Sequence, residues 1–398
     1  MKKTFSIRFI ERQPELDEYC HELAQANRIA LDTEFIGEGL YYPKLCLIQV
    51  ATDFNATVAL IDPLQGLQFD EFIRILSNSE VELVFHAARQ DIDILTGQLH
   101  VNIHRLFDTQ VAAAFLGYGD QPALTRLMMS ELGIKIEKGE RFTDWSIRPL
   151  SQAQLEYAAM DVAHLIEIRN RLEQQLLAKH RWGWFYEESV QILARDRSVD
   201  ESELWRRVSD RRGLKRRELG ILQELALLRE HTAQHWNKPR EYVIPDRVMV
   251  QVSRTNIHSE QDLKTLRGWR APNDSKFLQA ILQTIDKAKA KPEDEYPREE
   301  FGTAMPVEAS AVSDLLSAWL KIVSERIGVS SPLLAVRAEL DAVSRWGFER
   351  KGSNPPPVRF VEGWRLEVLG KNLLEIASGK KSIGLFSDQE DVLSIGRK

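Results

Sequence analysis

An α/β domain with a mixed sheet and flanking helices, followed by two all-α helical modules, is the fold class this sequence predicts. Three observations predict it. Apolar, β-rich runs at 28–32, 45–51 and 57–61 follow one another through short connections. After them apolar runs and helical periodicities alternate to about residue 190, and from about 200 onward only helical patterns remain. At 398 residues the chain exceeds one ordinary core, so two or three domains are expected.

The three neighbouring runs predict an antiparallel meander. A helix at 68–77, a buried strand at 82–86, a helix from about 90, a short strand near 103–107 and helices from 109 follow. That alternation adds later strands through helical crossovers. In SQAQLEYAAMDVAHLIEI the residues Leu155, Ala158, Ala159, Val162 and Leu165 recur at helical spacing. A long helix near 215–236 carries the stripe Leu219, Leu222, Leu225, Ala226 and Leu228. PREYVIPDRVMVQVSR, SEQDLKTLRG and SKFLQAILQTIDKAKA continue the helical character, and Ser259 with Asp262 resembles a capping box. The stretch 291–310, rich in proline and acid and without periodicity, is expected to be a linker. Beyond it AVSDLLSAWLKIVSERIGV and SPLLAVRAELDAVSRW are again helical, and NPPP at 354–357 requires an irregular turn. The echo between RGWR at 267–270 and EGWR at 362–365 predicts two related modules, the second lacking part of the first one's middle. The expected division is 1–195, 200–290, a linker at 291–310, and 311–398.

Composition excludes several classes. Hydrophobic content of 43% with 28% charged residues fits a soluble globular protein, and no apolar run approaches membrane-spanning length. Arg8, Glu11 and Arg12 interrupt any signal-peptide core after Met1. Two cysteines, Cys20 and Cys46, make neither a disulfide framework nor a conventional zinc site, so a cytoplasmic setting is expected. A net charge of −6 argues against a chain that coats nucleic acid along its whole surface. The basic residues concentrate between Trp205 and Arg217, a nucleic-acid contact or a solvated face.

The chemistry lies in four carboxylates: Asp32 and Glu34 in IALDTEF, Asp91 in FHAARQD, and Asp161 in YAAMD. Two residues apart at a strand end means one face of the sheet, so Asp32 and Glu34 reach a common point. Tyr157 precedes Asp161 by four residues, which sets the phenol and the carboxylate about 5–6 Å apart at Cβ on one helix face. Like charges repel by roughly 4 kcal/mol per pair at 4 Å and an effective dielectric of 20, so such a cluster implies counter-ions. Mg²⁺ or Mn²⁺ suits oxygen-only donors and substrate phosphates. Two such ions activate a water on one side of a phosphodiester and steady the leaving 3′ oxygen on the other. The phenol of Tyr157 is a weak base, so its expected job is to orient the attacking water.

These residues carry a resemblance. DTEF, HAARQD and YAAMD resemble the three motifs of the DEDD 3′ to 5′ exonucleases, and a tyrosine four before the last aspartate is similar to the tyrosine subclass. LYYPKLCLIQVA, RLFDTQVAAAFLG and TDWSIRPLSQAQLEYAAMDVAHL are similar to the bacterial ribonuclease D family, whose C-terminal HRDC domains the helical modules resemble. The resemblance implies a ribonuclease-H-like exonuclease domain over 1–195, a first HRDC domain over 200–290 and a degenerate second over 311–398. It selects Asp91 over Asp93. It also implies that Asp32, Glu34 and Asp161 hold one metal, that Asp32 bridges to a second, and that Asp91 acts on that second ion partly through water. The implied activity is stepwise removal of nucleotides from single-stranded RNA 3′ ends, with transfer RNA precursors as substrates and neither membrane nor obligate protein partner. A DNA exonuclease of the same family and a noncatalytic RNA-binding scaffold are the rival readings. His86, His164, Cys46 and Gln49 read as structural; Arg89, Arg141, Trp145 and Arg148 fit either phosphate and base contacts or packing.

Overall fold

The computed structural model describes residues 5–135, 143–195, 200–270, 272, 274–298, 305–349, 354–385 and 393–397. The chain divides into two compact units. One contains residues 1–34, 45–195 and 303–398; the other contains 35–44 and 196–302.

The first unit begins with strand β1 (Ser6–Ile10) and helix α1 (Gln13–Leu23). Strands β2 (Arg28–Ile36), β3 (Lys44–Thr52) and β4 (Thr57–Ile61) follow, then α2 (Asp70–Leu76), β5 (Glu82–Phe85), α3 (Arg89–Gln98), β6 (Leu106–Asp108) and α4 (Thr109–Leu116). The six strands form one sheet in the order β1-β4-β3-β2-β5-β6. β3 and β4 are antiparallel, as the meander predicts, whereas β1–β4, β2–β5 and β5–β6 are parallel, so the sheet is mixed. Ile29, Ala30 and Leu31 of β2 and the run Leu45–Ala51 of β3 are all buried, which is how central strands covered on both faces read. β1 and α1 have no counterpart in the periodicity reading. SIRFI is five residues with an arginine at its centre, and it gains strand identity only by pairing with β4.

Helices α5 (Leu124–Leu127), α6 (Gln152–Ala163), α7 (Leu165–Ala178) and α8 (Trp182–Ala194) complete this part. Ser151 starts α6 through a capping box: its hydroxyl accepts from the Gln154 amide at 3.2 Å, and the Gln154 side chain accepts from the Ser151 amide at 2.9 Å. Ala158, Ala159 and Val162 give α6 its buried face, and the helix packs on β4 and β1. On α7, Arg169 bonds buried Glu82 of β5, with Nε to Oε2 at 2.6 Å, and so ties helix to sheet.

The second unit is helical: α9 (Arg216–Trp236), α10 (Arg240–Val243), α11 (Asp246–Arg254), α12 (Glu260–Thr265) and α13 (Ser275–Ala290). Leu219, Leu222, Leu225 and Ala226 of the expected stripe are buried in its core, with Leu228 partly buried. Ser259 and Asp262 form the capping box. The segment 35–44 belongs to this unit because Tyr41 donates its hydroxyl to buried Glu230 of α9, while the amides of Tyr41 and Tyr42 donate to Asn237. Arg240 closes the same cluster on Glu230 and stacks over the Tyr41 ring at 5.0 Å.

The segment expected as a linker at 291–310 departs from that reading at both ends, since residues 307–310 already open a helix, and its residues 299–304 lie outside the described residues. Glu293–Glu295 forms a 3₁₀ turn, and Tyr296 is buried, with its hydroxyl donating to the Ala288 carbonyl at 3.0 Å. An acidic, proline-rich segment carrying one well-placed aromatic packs as a terminal strap. Part of the basic run is structural too: Arg206 and Arg211 lie 4.7 and 6.0 Å from the ring centre of buried Trp205.

The remaining helices are α14 (Val307–Ile327), α15 (Ser331–Leu334), α16 (Arg337–Glu349), α17 (Gly363–Arg365) and α18 (Lys371–Ala377), followed by a two-stranded sheet of β7 (Lys381–Leu385) and β8 (Leu393–Arg397). The expectation of helices alone is corrected by this hairpin, whose five-residue strands KSIGL and LSIGR gain strand identity by pairing with each other. The expectation of a separate module over 311–398 meets a different grouping, since residues 303–398 cluster with the sheet. The reason is chemical. Trp364 stacks on Trp184 of α8 at 5.1 Å, and buried Arg365 donates to Glu188 at 2.5 Å and to the Leu333 carbonyl at 2.8 Å.

Candidate active site

Asp32 and Glu34 stand on β2 beyond the point where it pairs with β5, a pairing that ends at Ala30↔Val84. Past that register the strand is released from its neighbour, and the carboxylates gain room beside α6. One carboxylate oxygen from each of Asp32, Glu34 and Asp161 lies within 4.8 Å of the others, and all three residues keep partial solvent access. The strand supplies two acids by alternation and α6 supplies the third. Tyr157 is half-buried one turn before Asp161 and packs against Trp145, with ring centres 6.2 Å apart.

Asp91 is placed differently. It sits in the first turn of α3, buried, and accepts from both the amide of Thr33 at 3.0 Å and its hydroxyl at 2.5 Å. It is therefore outside the three-carboxylate group yet close enough to load Asp32 electrostatically. The approach to α3 is built by Asp108, which the sequence reading did not single out. Its carboxylate accepts from the amides of Ala87 and Ala88 at 3.0 and 2.9 Å and caps α4 through Gln110 at 2.8 Å. Ala87 has φ of +65°, unusual for a residue with a Cβ, and the Asp108 bonds hold it there. The signal available in sequence was Asp108 directly after an apolar strand and before a helical run, the signature of an N-cap.

Protonation reflects the crowding. Burial, then Asp91, Asp161 and Glu34, push the Asp32 carboxyl well above the carboxylate range. Burial and the charges of Asp161 and Asp91 push Glu34 up to about 8. For Asp91 burial dominates again, and the Thr33 bonds hold the rise to about 6. A divalent cation fits this donor set: the ligands are all hard oxygens, and positive charge among them reverses the repulsion that holds protons on the cluster. Octahedral Mg²⁺ with oxygens at about 2.1 Å needs ligand pairs roughly 3–4 Å apart, a small contraction of the observed cluster.

His86, His164, Cys46, Gln49 and Arg148 resolve as structure, whereas Arg89 is exposed at the start of α3. His86 Nδ1 bonds the Thr109 hydroxyl at 2.9 Å, and burial holds its pKa below the usual value. Buried His164 packs edge-on against Phe5. Cys46 and Gln49 are fully buried in β3, and Asp93 is exposed on the far side of α3 from Asp91. Arg148 is held by a buried ion pair, described below, and Arg141 lies outside the described residues.

Residues 7–177 match the family model of the 3′-5′ exonuclease domain, and residues 218–285 match that of the HRDC domain. Ribonuclease D of Bartonella henselae is 32% identical over 381 residues, covering 94% of this chain and 91% of that protein. Ribonuclease D of Jannaschia sp. is 33% identical over 387 residues, covering 96% and 98% respectively. Among solved structures, Escherichia coli RNase D superposes with a TM-score of 0.82 at 27% identity, covering 94% of this chain and 99% of that one.

Proposed function

Because this chain belongs to the ribonuclease D family, and is accordingly a hydrolytic 3′ to 5′ exoribonuclease, we propose that Asp32, Glu34, Asp91, Tyr157 and Asp161 perform the hydrolysis. The observation that carries this reading is the convergence of Asp32, Glu34 and Asp161 within 4.8 Å, with Asp91 adjoining through Thr33. Asp32, Glu34 and Asp161 would hold one divalent cation, and Asp32 with Asp91 would serve a second. Bound Mg²⁺ or Mn²⁺ supplies the charge that ionises a water and steadies the departing 3′ oxygen.

The chain's own residues do the rest. Thr33 fixes the Asp91 carboxylate from two donors, so its free oxygen keeps one direction. Tyr157, one helical turn before Asp161, orients the attacking water by hydrogen bonding through its hydroxyl, which need not ionise. α6 sets the spacing between that hydroxyl and the Asp161 carboxylate, and its capping box keeps the helix start from fraying.

The E. coli relative is described as an exoribonuclease involved in structured RNA processing, and that supports precursor transfer RNAs with single-stranded 3′ ends as substrates here. Residues 1–195 act as the exonuclease domain, with 200–290 and 311–398 as HRDC-type helical modules that extend the RNA footprint. Cys20 and Cys46 are free and buried, which supports a reducing, cytoplasmic setting; no helix among the described residues is long and apolar enough to cross a membrane.

The test is a time course on RNA labelled at its 5′ end and bearing a 3′ overhang, with Mg²⁺, Mn²⁺ or EDTA, beside matched DNA. The expected result is a ladder shortening one nucleotide at a time, absent in EDTA, weaker on DNA, and reduced at least ~10²–10³-fold in Asp32→Ala. Near-normal activity of Asp32→Ala, or a ladder that persists in EDTA, would sink the assignment.

A further inference from the structure

Asp62 follows the last residue of β4, and its side chain is 0% exposed. A carboxylate taken fully out of water needs a matched cation, and Arg148 provides it in fork geometry: Nε to Oδ2 at 2.6 Å and Nη2 to Oδ1 at 2.7 Å. The rest of the guanidinium is also committed. Nη1 donates to the carbonyls of Trp145 at 2.7 Å and Ile147 at 3.0 Å, and Nη2 donates to the Cys46 carbonyl at 2.7 Å. Arginine has five N–H donors, and these five bonds use them all. None remains for a substrate phosphate.

One side chain thus joins the end of β4, the backbone of β3 and the segment 145–147 that leads into α6. That segment carries Trp145, 3% exposed, whose ring packs against Tyr157 at 6.2 Å with planes 36° apart. The other end of the same segment is tied to the first turn of α6, where Gln154 Nε2 donates to the Thr143 hydroxyl at 3.3 Å. The segment is a strap fixed at two points, with the tryptophan ring between them leaning on the tyrosine.

We propose that Arg148, anchored on Asp62, is a positioning residue for hydrolysis, acting through Trp145 to hold Tyr157 in its working orientation. This inference rests on the assignment of Tyr157 as the residue that orients the attacking water. Such alignment is steep: a displacement of about 1 Å at a reacting group costs on the order of 10²-fold in rate. A clamp that served only to keep α6 docked would change stability without distinguishing kcat from KM.

The experiment measures kcat and KM on a 5′-labelled single-stranded RNA with Mg²⁺ for Arg148→Lys, Tyr157→Phe and the double variant, with thermal unfolding of each. Lysine keeps the charge beside Asp62 but has three donors and no fork, so the Trp145 and Ile147 carbonyls lose their anchors. Arg148→Lys is expected to lower kcat about 10- to 100-fold with KM nearly unchanged, and to cost less than about twofold more when Tyr157 is already Phe. An equal loss in both backgrounds, or a loss confined to KM, overturns the positioning role while leaving the Tyr157 assignment standing. Full activity of Tyr157→Phe alone overturns that assignment and the inference with it. Where Arg148→Lys fails to fold, Trp145→Phe in the same two backgrounds gives the same readings.

Discussion

Replacing Glu34 by Gln separates what the carboxylate costs the fold from what it does for the chemistry. In the metal-free protein, burial and then Asp161 and Asp91 move the Glu34 carboxyl from its ordinary 4.5 up to about 8. Between those two values the folded chain holds a proton that the unfolded chain has released. Stability therefore falls with rising pH by up to about 1.4 kcal/mol per unit, is intact below the unfolded value, and is fully eroded above the folded one. The whole shift corresponds to roughly 5 kcal/mol, but Glu34 retains solvent access, and screening reduces the effective penalty to about 1–3 kcal/mol. Gln is nearly isosteric and carries no charge to be repelled.

Urea unfolding in EDTA is the assay. The parent and Glu34→Gln should be almost equally stable at about pH 5, and the variant should exceed the parent by about 1–3 kcal/mol at about pH 8. Adding Mg²⁺ reverses the order, because a ligand that binds only the folded parent stabilises it by about 4.1 kcal/mol at a thousandfold excess over Kd. Parallel pH profiles in EDTA would refute the crowding that the site's geometry implies. A Mg²⁺ effect equally large in both proteins would remove Glu34 from the ligand set.

Three further outcomes are expected. Tyr157→Phe should lower kcat about 10²-fold while leaving the Mg²⁺ concentration for half-maximal rate unchanged, which a metal titration checks. Thr33→Val removes the hydroxyl that fixes Asp91 and keeps the amide, so that half-maximal Mg²⁺ concentration should rise about 10-fold or more in the same titration. Arg169→Met strands the buried Glu82 carboxylate and should destabilise the protein by roughly 3–5 kcal/mol in urea unfolding, somewhat less where Arg28, 3.5 Å from Glu82, moves in to replace it.

How much of this was legible in the sequence follows from distance along the chain. Asp32 and Glu34 are two apart on a strand, and Tyr157 and Asp161 four apart on a helix, so each pair is fixed by local periodicity and could be read directly. The β3–β4 pairing was legible for the same reason, as adjacent apolar runs with a short turn. β1 was not, because its partner β4 lies some fifty residues away and five residues carry no periodicity of their own. Nor was the β7–β8 hairpin, because Ile383 with Leu385 and Leu393 with Ile395 alternate over only five residues each, too few to declare a strand before the two pair.

The support of the site was invisible for a deeper reason. Asp108 shows in sequence as a helix cap, and a cap it is, yet its second task is to hold the Ala87–Ala88 turn twenty residues back and so aim Asp91. Arg148 reads as a loop arginine beside the motifs, available to phosphate, until the burial of Asp62 eighty-six positions earlier is known. For Arg148 residue type and spacing announce a group able to act on substrate, and for both residues only the three-dimensional partners reveal that their hydrogen-bonding capacity is spent within the fold. The acids that meet the cation must keep oxygens free, so their sequence pattern survives as a readable motif. The residues that aim them satisfy every donor internally, and a side chain used that way looks like any other polar residue of a loop.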